Sequence, residues 1–121
     1  MNNRLTPLLL SGLFVMAVFM TTSCEKEYYV PFPTPDVVSY TQDIQPFFNA
    51  KCTSCHGNTA PNLESPDSYD NLINGGYINL SDPASSLLYT KIDIGGSMES
   101  YATQEERAMT LKWISQGAEN N

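Results

Sequence analysis

Cys52-Thr53-Ser54-Cys55-His56 is the stretch on which the reading of this chain turns. Two cysteines stand three positions apart, and a histidine follows the second directly. The pattern is C-x-x-C-H, the attachment signature of a covalently bound c-type haem. The chemistry asks for these residue types at this spacing. Two thiols on one turn of backbone can each add across a vinyl group of the same porphyrin. The next residue then supplies an imidazole to the iron as proximal ligand. On this reading Cys52 and Cys55 hold one haem c, and His56 binds its iron.

Three other chemistries use parts of this pattern. A thioredoxin-like redox pair uses C-x-x-C, but it expects a strand before the motif inside a βαβ unit. No such alternation surrounds Cys52. A structural zinc site usually takes four Cys or His ligands. Beyond the motif the chain offers only Cys24, and His56 is its only histidine. A Cys52–Cys55 disulfide would close a very small loop and leave His56 without a role.

Upstream, the N-terminus does not read as part of the folded domain. Arg4 precedes an apolar run from Leu8 to Met20, 13 residues long. That is short for a membrane span and suits a secretory signal. Thr21-Thr22-Ser23-Cys24 follows. A small residue directly before a cysteine, just past the apolar run, resembles a bacterial lipoprotein cleavage site. Residues 1–23 are thus expected to be a signal peptide, and Cys24 a lipidated first residue of the mature chain. Thr21 stands where such sites usually carry an aliphatic residue. Cleavage nearby, leaving a free Cys24, is the alternative. Export and haem attachment agree, because attachment of this type resembles a process that takes place outside the bacterial cytoplasm. Lipidation would also account for the odd third cysteine. Glu25, rather than the Asp linked to inner-membrane retention in enteric bacteria, follows Cys24. The expected location is the periplasmic side of a bacterial membrane, the outer one before the inner.

Residues 24–38 read as a tether. Pro31, Pro33 and Pro35 fall within five residues and favour an extended spacer. Residues 39–121 form the expected folded domain, with packing beginning near Val38. From Cys24 onward the chain holds five Lys or Arg against 13 Asp or Glu, a net charge of −8. This argues against nucleic acid or an anionic lipid surface as partner. It permits docking on a basic patch of a redox partner protein, where complementary charge mainly raises the on-rate. Simple solubility explains the charge equally well.

The domain reads as all-α. A first helix is expected over 41–51, with Thr41 as N-cap and Ile44, Phe47 and Phe48 on its apolar side. Pro46 is awkward in a helix interior, and marks either a kink or a later true start. Ser65-Pro66-Asp67 opens a short helix from Pro66 to Ile73, stopped by Gly75-Gly76. Ser81-Asp82-Pro83 repeats that punctuation before a third helix, 83–91, with Leu87, Leu88 and Ile92 inward. Thr103-Gln104-Glu105-Glu106 is a capping box for a last helix, 104–116, ending at Gly117. No convincing strand is visible. A domain of this size has a marginal core. A covalent haem would supply its apolar centre, so the haem-free chain is expected to fold poorly.

With one histidine, bis-His ligation within the chain is excluded. Met98 and Met109 are the methionines left for the sixth position. Met109 falls inside the last helix, where a methionine reads as core packing. Met98 lies in a Gly-rich loop able to bring a thioether over the distal haem face. The open alternative is an exposed Met98 and a water-bound or vacant iron.

At these residues the chain resembles the small class I cytochrome c domain, in particular exported and lipid-anchored bacterial forms. The matching pieces are Tyr40-Thr41-Gln42-Asp43-Ile44-Gln45-Pro46-Phe47-Phe48, Cys52 to Gly57, Ser85-Ser86-Leu87-Leu88-Tyr89, Met98, and Leu111 to Ala118. They span about residues 40–118. The resemblance implies a fold of three to five helices around one haem, with first and last helices crossed. It implies Cys52 and Cys55 as attachment points, His56 as proximal ligand and Met98 as distal ligand. It also implies a backbone carbonyl downstream of the motif that accepts a hydrogen bond from His56 Nδ1–H, for which a residue near Pro61 is a candidate. One departure stands out: Glu99 follows Met98 where the family usually has proline. That is expected to place a carboxylate near the haem, where it would lower the potential.

The function expected from this is a membrane-tethered one-electron carrier serving redox partner proteins, and not an enzyme. The chain carries no evident nucleophile–base pair and no phosphate-binding loop. Tyr69, Tyr77, Tyr89 and Tyr101 are candidates for haem propionates, or simply for packing. Should Met98 not bind, the alternative is a haem-based gas sensor or small haem enzyme with an open distal site. A haem subunit of a larger redox complex is the other.

Overall fold

The computed structural model describes residues 32–121. Its described residues are helical and contain no strand. The lipid attachment expected at Cys24 and the signal segment lie outside them. Among the described residues no helix is long and apolar enough to cross a membrane.

The first helix starts differently from the sequence expectation. A π-helical turn, Tyr40–Ile44, leads into α1, Gln45–Lys51. Ser39, not Thr41, is the N-cap. Its hydroxyl accepts from Gln42 N–H at 3.2 Å, and its own N–H donates to the Asp43 carboxylate at 2.8 Å. Thr41 instead donates its hydroxyl to the Asn121 carbonyl at 2.7 Å. Pro46 accounts for the shift. It has no N–H to give, so it is tolerated only in a first turn. The wider π-turn before it lets α-geometry begin at Gln45, and Pro46 then falls in that first turn.

A single turn, α2 (Thr53–His56), follows at once. Next comes α3, Ser68–Asn74, capped by Gly75. Pro66 is not part of it: the Ser65–Pro66 peptide is cis and the helix begins at Ser68, whose buried side chain starts its inner face. The third expected helix is split. Pro83–Ser85 is a 3₁₀ turn, Ser86 is extended, and α4 runs Leu87–Ile92. The break is at Ser86 because its buried hydroxyl accepts from Asn79 N–H at 2.9 Å, tying the start of α4 to the loop before it. Leu88 and Ile92 face the core as expected, whereas Leu87 is 44% exposed. The last helix, α5, is Gln104–Ser115, with its capping box formed at both bonds. Gly117, at φ +106, turns the chain back, and buried Ala118 follows it.

The core lies between the first helical segment, α3 and α5. Tyr40 and Trp113 rings stand 5.1 Å apart, and Tyr40 and Tyr69 5.2 Å. Such pairs add about 0.5–1.5 kcal/mol beyond area burial. A buried polar chain runs beside them. Tyr40 donates its hydroxyl to Ser68 at 2.8 Å, Ser68 donates to Gln45 Oε1, and Gln45 Nε2 donates to the Leu63 carbonyl at 3.0 Å. Every member is satisfied, so the network orients three segments instead of costing stability. Burial pushes the Tyr40 phenol up to about 12, although the bond to Ser68 pulls the other way. Val38 is in this core, and Gln116 holds both its N–H and the Asp36 carbonyl, so packing starts within the expected tether boundary.

The start of the first segment meets the end of α5 through Tyr40 and Trp113. Its other end meets the start of α5 through Lys51 Nζ and Glu106 Oε2, 2.7 Å apart. Burial opposes the charge on Glu106. Hydrogen bonds from Lys51 and from Thr103 outweigh it and hold the carboxyl below its usual range. A depressed carboxylate contributes stability above the ordinary carboxylate pKa, and that contribution is lost as pH falls through the folded value. We therefore expect Glu106→Gln to cost about 1 kcal/mol at pH 7. Near pH 3 the gap to wild type should narrow markedly. Denaturant unfolding of both proteins at the two pH values checks this. A constant gap would mean the charge is not what matters.

Candidate cofactor site

Local backbone geometry brings the motif together. α1 ends as Cys52 N–H donates to the Phe48 carbonyl at 2.8 Å. The helix restarts from the same residue: Cys55 and His56 N–H groups donate to the Cys52 carbonyl at 3.1 and 2.8 Å. Cys52, Cys55 and His56 thus occupy positions i, i+3 and i+4 of one helical turn, which share a face. Both cysteines are free thiols, Cys52 half-buried and Cys55 exposed.

His56 is held from the loop that follows. Its Nδ1 lies 3.2 Å from the Pro61 carbonyl, where only an N–H can bond. This fixes the proton on Nδ1 and leaves the Nε2 lone pair for a ligand role. The loop is closed by Leu63 N–H donating to the His56 carbonyl at 2.7 Å. The Leu63 carbonyl is in turn anchored by Gln45 Nε2. The buried chain from Tyr40 through Ser68 and Gln45 therefore ends two residues from the carbonyl that orients the imidazole. Gln45 thus holds the far end of this loop, and nothing in the sequence singles it out.

These side chains open onto one cavity of about 490 Å3 with a mainly apolar wall. The volume is in the range of sites that enclose small molecules and cofactors. Part of the wall comes from the stretch around the motif: Phe47, Phe48, Cys52, Cys55, His56, Pro61 and Leu63. The rest comes from Tyr77, from Leu87, Leu88, Lys91 and Ile92 of α4, and from Ser97, Met98 and Tyr101. The three motif residues and Met98, about forty positions apart in sequence, thus line the same space. Met109 does not; it is partly buried against the core. Leu87, turned away from the core, faces this cavity as well, which explains its exposure.

The electrostatics sort the readings. Lys51 and Lys91 are the charged residues on the wall, and both are cations. Two cations on the wall of one cavity stand out in so acidic a chain. Lys51 already serves Glu106, while Lys91 makes no ion pair among the described residues. The Cys52 thiol is pushed up to about 11 by burial, with Glu106 adding to the shift and Lys51 partly offsetting it. A reactive redox thiol needs the opposite shift. The helix before the motif and the lack of a strand among the described residues also depart from a thioredoxin-like pair. Among the described residues no group of three or more His, Cys, Asp or Glu converges.

Two expectations change. Glu99 does not line the cavity. Its carboxylate accepts from Gly95 N–H at 2.8 Å within its own loop, because the 3₁₀ turn Glu99–Tyr101 points it back along the chain. Tyr69 and Tyr89 are not on the wall either. Tyr69 donates to the Ala118 carbonyl at 2.8 Å, and Tyr89 packs partly buried against the core, leaving Tyr77 and Tyr101 at the cavity. Comparison with models of known protein families, with curated protein sequences and with solved structures found no match.

Proposed function

We propose that residues 39–121 are a small cytochrome c domain of class I type and that the chain is a membrane-tethered one-electron carrier. The observation that carries this is the convergence of two free thiols, an imidazole with its Nδ1 proton engaged, and a thioether on one apolar cavity. Those donors fit haem c. Cys52 and Cys55 would hold it through thioether bonds, and His56 and Met98 are the residues that would bind its iron. The group would supply a ferric/ferrous couple, which thioether ligation biases toward the ferrous state.

The chain's own residues do the rest. Pro61 orients His56, and the Gln45–Leu63 bond keeps Pro61 in place. Phe47, Phe48, Leu63, Leu88 and Ile92 keep water from the site, so that its electrostatics act at low dielectric. Lys91 is free to face a propionate. The tether, which gives way to packed chain from about Asp36, would hold the domain within reach of a membrane-associated redox partner. Lipid at Cys24 would supply the anchor. The acidic surface favours a basic patch on that partner, in an encounter that is small and transient.

A visible absorption spectrum tests the reading. The protein is matured in an exporting host with haem-attachment machinery and measured oxidised and reduced, with and without carbon monoxide. We expect a sharp low-spin reduced spectrum that carbon monoxide leaves unchanged. A high-spin spectrum that shifts with the gas would sink the electron carrier and favour sensing or catalysis. Purified chain without covalent haem would sink both.

A further inference from the structure

The loop that carries Met98 is tied down by an unusual set of bonds. Its backbone is pinned to α4, since Met98 N–H donates to the Lys91 carbonyl at 2.7 Å. Gly96 presses on the same turn: a Cβ there would lie 2.4 Å from the Thr90 and Lys91 carbonyl oxygens. Gly95 stands at φ +82, a conformation that glycine adopts at no steric cost. Its N–H points back along the chain and is taken by Glu99 Oε2 at 2.8 Å. Glu99 N–H donates in turn to the Gly96 carbonyl at 3.1 Å. Residues 95–99 thus form a closed ring of bonds with Met98 inside it.

We propose that Glu99 is the positioning residue for Met98, its carboxylate locking the loop so that the thioether stays on the cavity wall. A carboxylate bonded to a backbone N–H is a charge-assisted bond, worth more than a neutral one. Proline after Met98 would stiffen the loop by fixing φ. Here a side chain fixes it by reaching back four residues to the loop's crest. The consequence is functional: a fastened Met98 keeps the distal side closed to diatomic ligands, and a loose one admits them. This inference rests on the reading of Met98 as an axial ligand.

The test uses holoprotein and three variants, Glu99→Ala, Glu99→Gln and Met98→Ala. Glutamine keeps an acceptor oxygen for Gly95 N–H; alanine removes it. Two readouts are taken: hydrogen exchange at the Gly95 amide, and carbon monoxide binding to the reduced protein. In Glu99→Ala we expect about tenfold faster exchange at Gly95, as fits the loss of one charge-assisted bond. Carbon monoxide binding should be at least as strongly increased. Glu99→Gln should stay within about threefold of wild type on both, since its bond is only weakened. Equal opening in both variants, or no opening in either, would overturn the locking role. Faster exchange at Gly95 with unchanged gas binding would also overturn it, since the loop would then be loose with Met98 still in place. If Met98→Ala itself leaves gas binding unchanged, the ligand assignment has failed, and the lock falls with it. That failure is recognisable because the Gly95 exchange pattern is independent of the iron.

Discussion

Cys52→Ala combined with Cys55→Ala is expected to yield a chain with no haem that survives acid–acetone extraction and no cooperative thermal transition. Covalent attachment needs a thiol at the motif and the double variant has none, so the first half follows from composition alone. The second half follows from packing. Phe47, Phe48, Leu63, Leu88 and Ile92 are buried against the core on one side and line the cavity on the other. Haem seated there would fill the cavity between them, and without it the cavity is left unfilled or collapses. A core of this size rarely supplies more than about 3–5 kcal/mol in all. The loss is therefore comparable with the whole stability. The single variant Cys55→Ala separates the two halves. Cys55 is exposed, so its removal disturbs no packing. It should keep one thioether bond through Cys52, retain haem and still melt cooperatively. Circular dichroism melts of the three proteins decide the matter. A double variant that melts like wild type would mean the cofactor is a passenger and not the centre of the core.

The fold was legible where local chemistry leaves little choice. Thr103 with Glu106 is a capping box in sequence and in space, and Gly75 and Gly117 end their helices where expected. The errors share a cause. Ser68 and Ser86 are buried and take roles defined by the side chains and backbone around them, and a serine in sequence looks the same whether solvated or buried. Ser86 breaks the expected 83–91 helix because Asn79 N–H needs its hydroxyl. Thr41 lost the cap because Asn121 claims its hydroxyl, eighty residues away. Long-range bonds of this kind carry no periodicity, and none was available to read.

The site was legible in its donors and not in its supports. The motif announces itself by spacing, and the carbonyl of Pro61 lies where the resemblance implied. Gln45 gave no signal, since a glutamine beside two phenylalanines reads as a helix surface. Lys91 carries no signal in the sequence, and only the cavity shows it as a cation with no ion-pair partner among the described residues. Glu99 was assigned to the cofactor by proximity in sequence. The turn that follows Met98 directs it into the loop instead. A neighbour in sequence need not be a neighbour in the site, because successive residues of a tight turn point in different directions.

Met98→Ala should convert the reduced protein from one indifferent to carbon monoxide into one that binds it stoichiometrically. The oxidised protein should change from low to high spin, and the reduction potential should fall as the thioether bias toward ferrous iron is lost. The structure makes this substitution clean. Met98 lies on the cavity wall, is 36% exposed and belongs to no part of the buried core. Its packing loss is accordingly small, within about 1 kcal/mol. Met109 supplies the opposite case. It is partly buried against the core and off the wall, so Met109→Ala should cost about 1–2 kcal/mol in unfolding and leave the spectrum untouched. The pair forms a double dissociation: one methionine governs the iron, the other the fold. Met98→His should close the site again at a lower potential than wild type. If Met109→Ala opened the iron and Met98→Ala did not, the distal assignment would pass to the helix, and the loop with its Glu99 bond would be structural only.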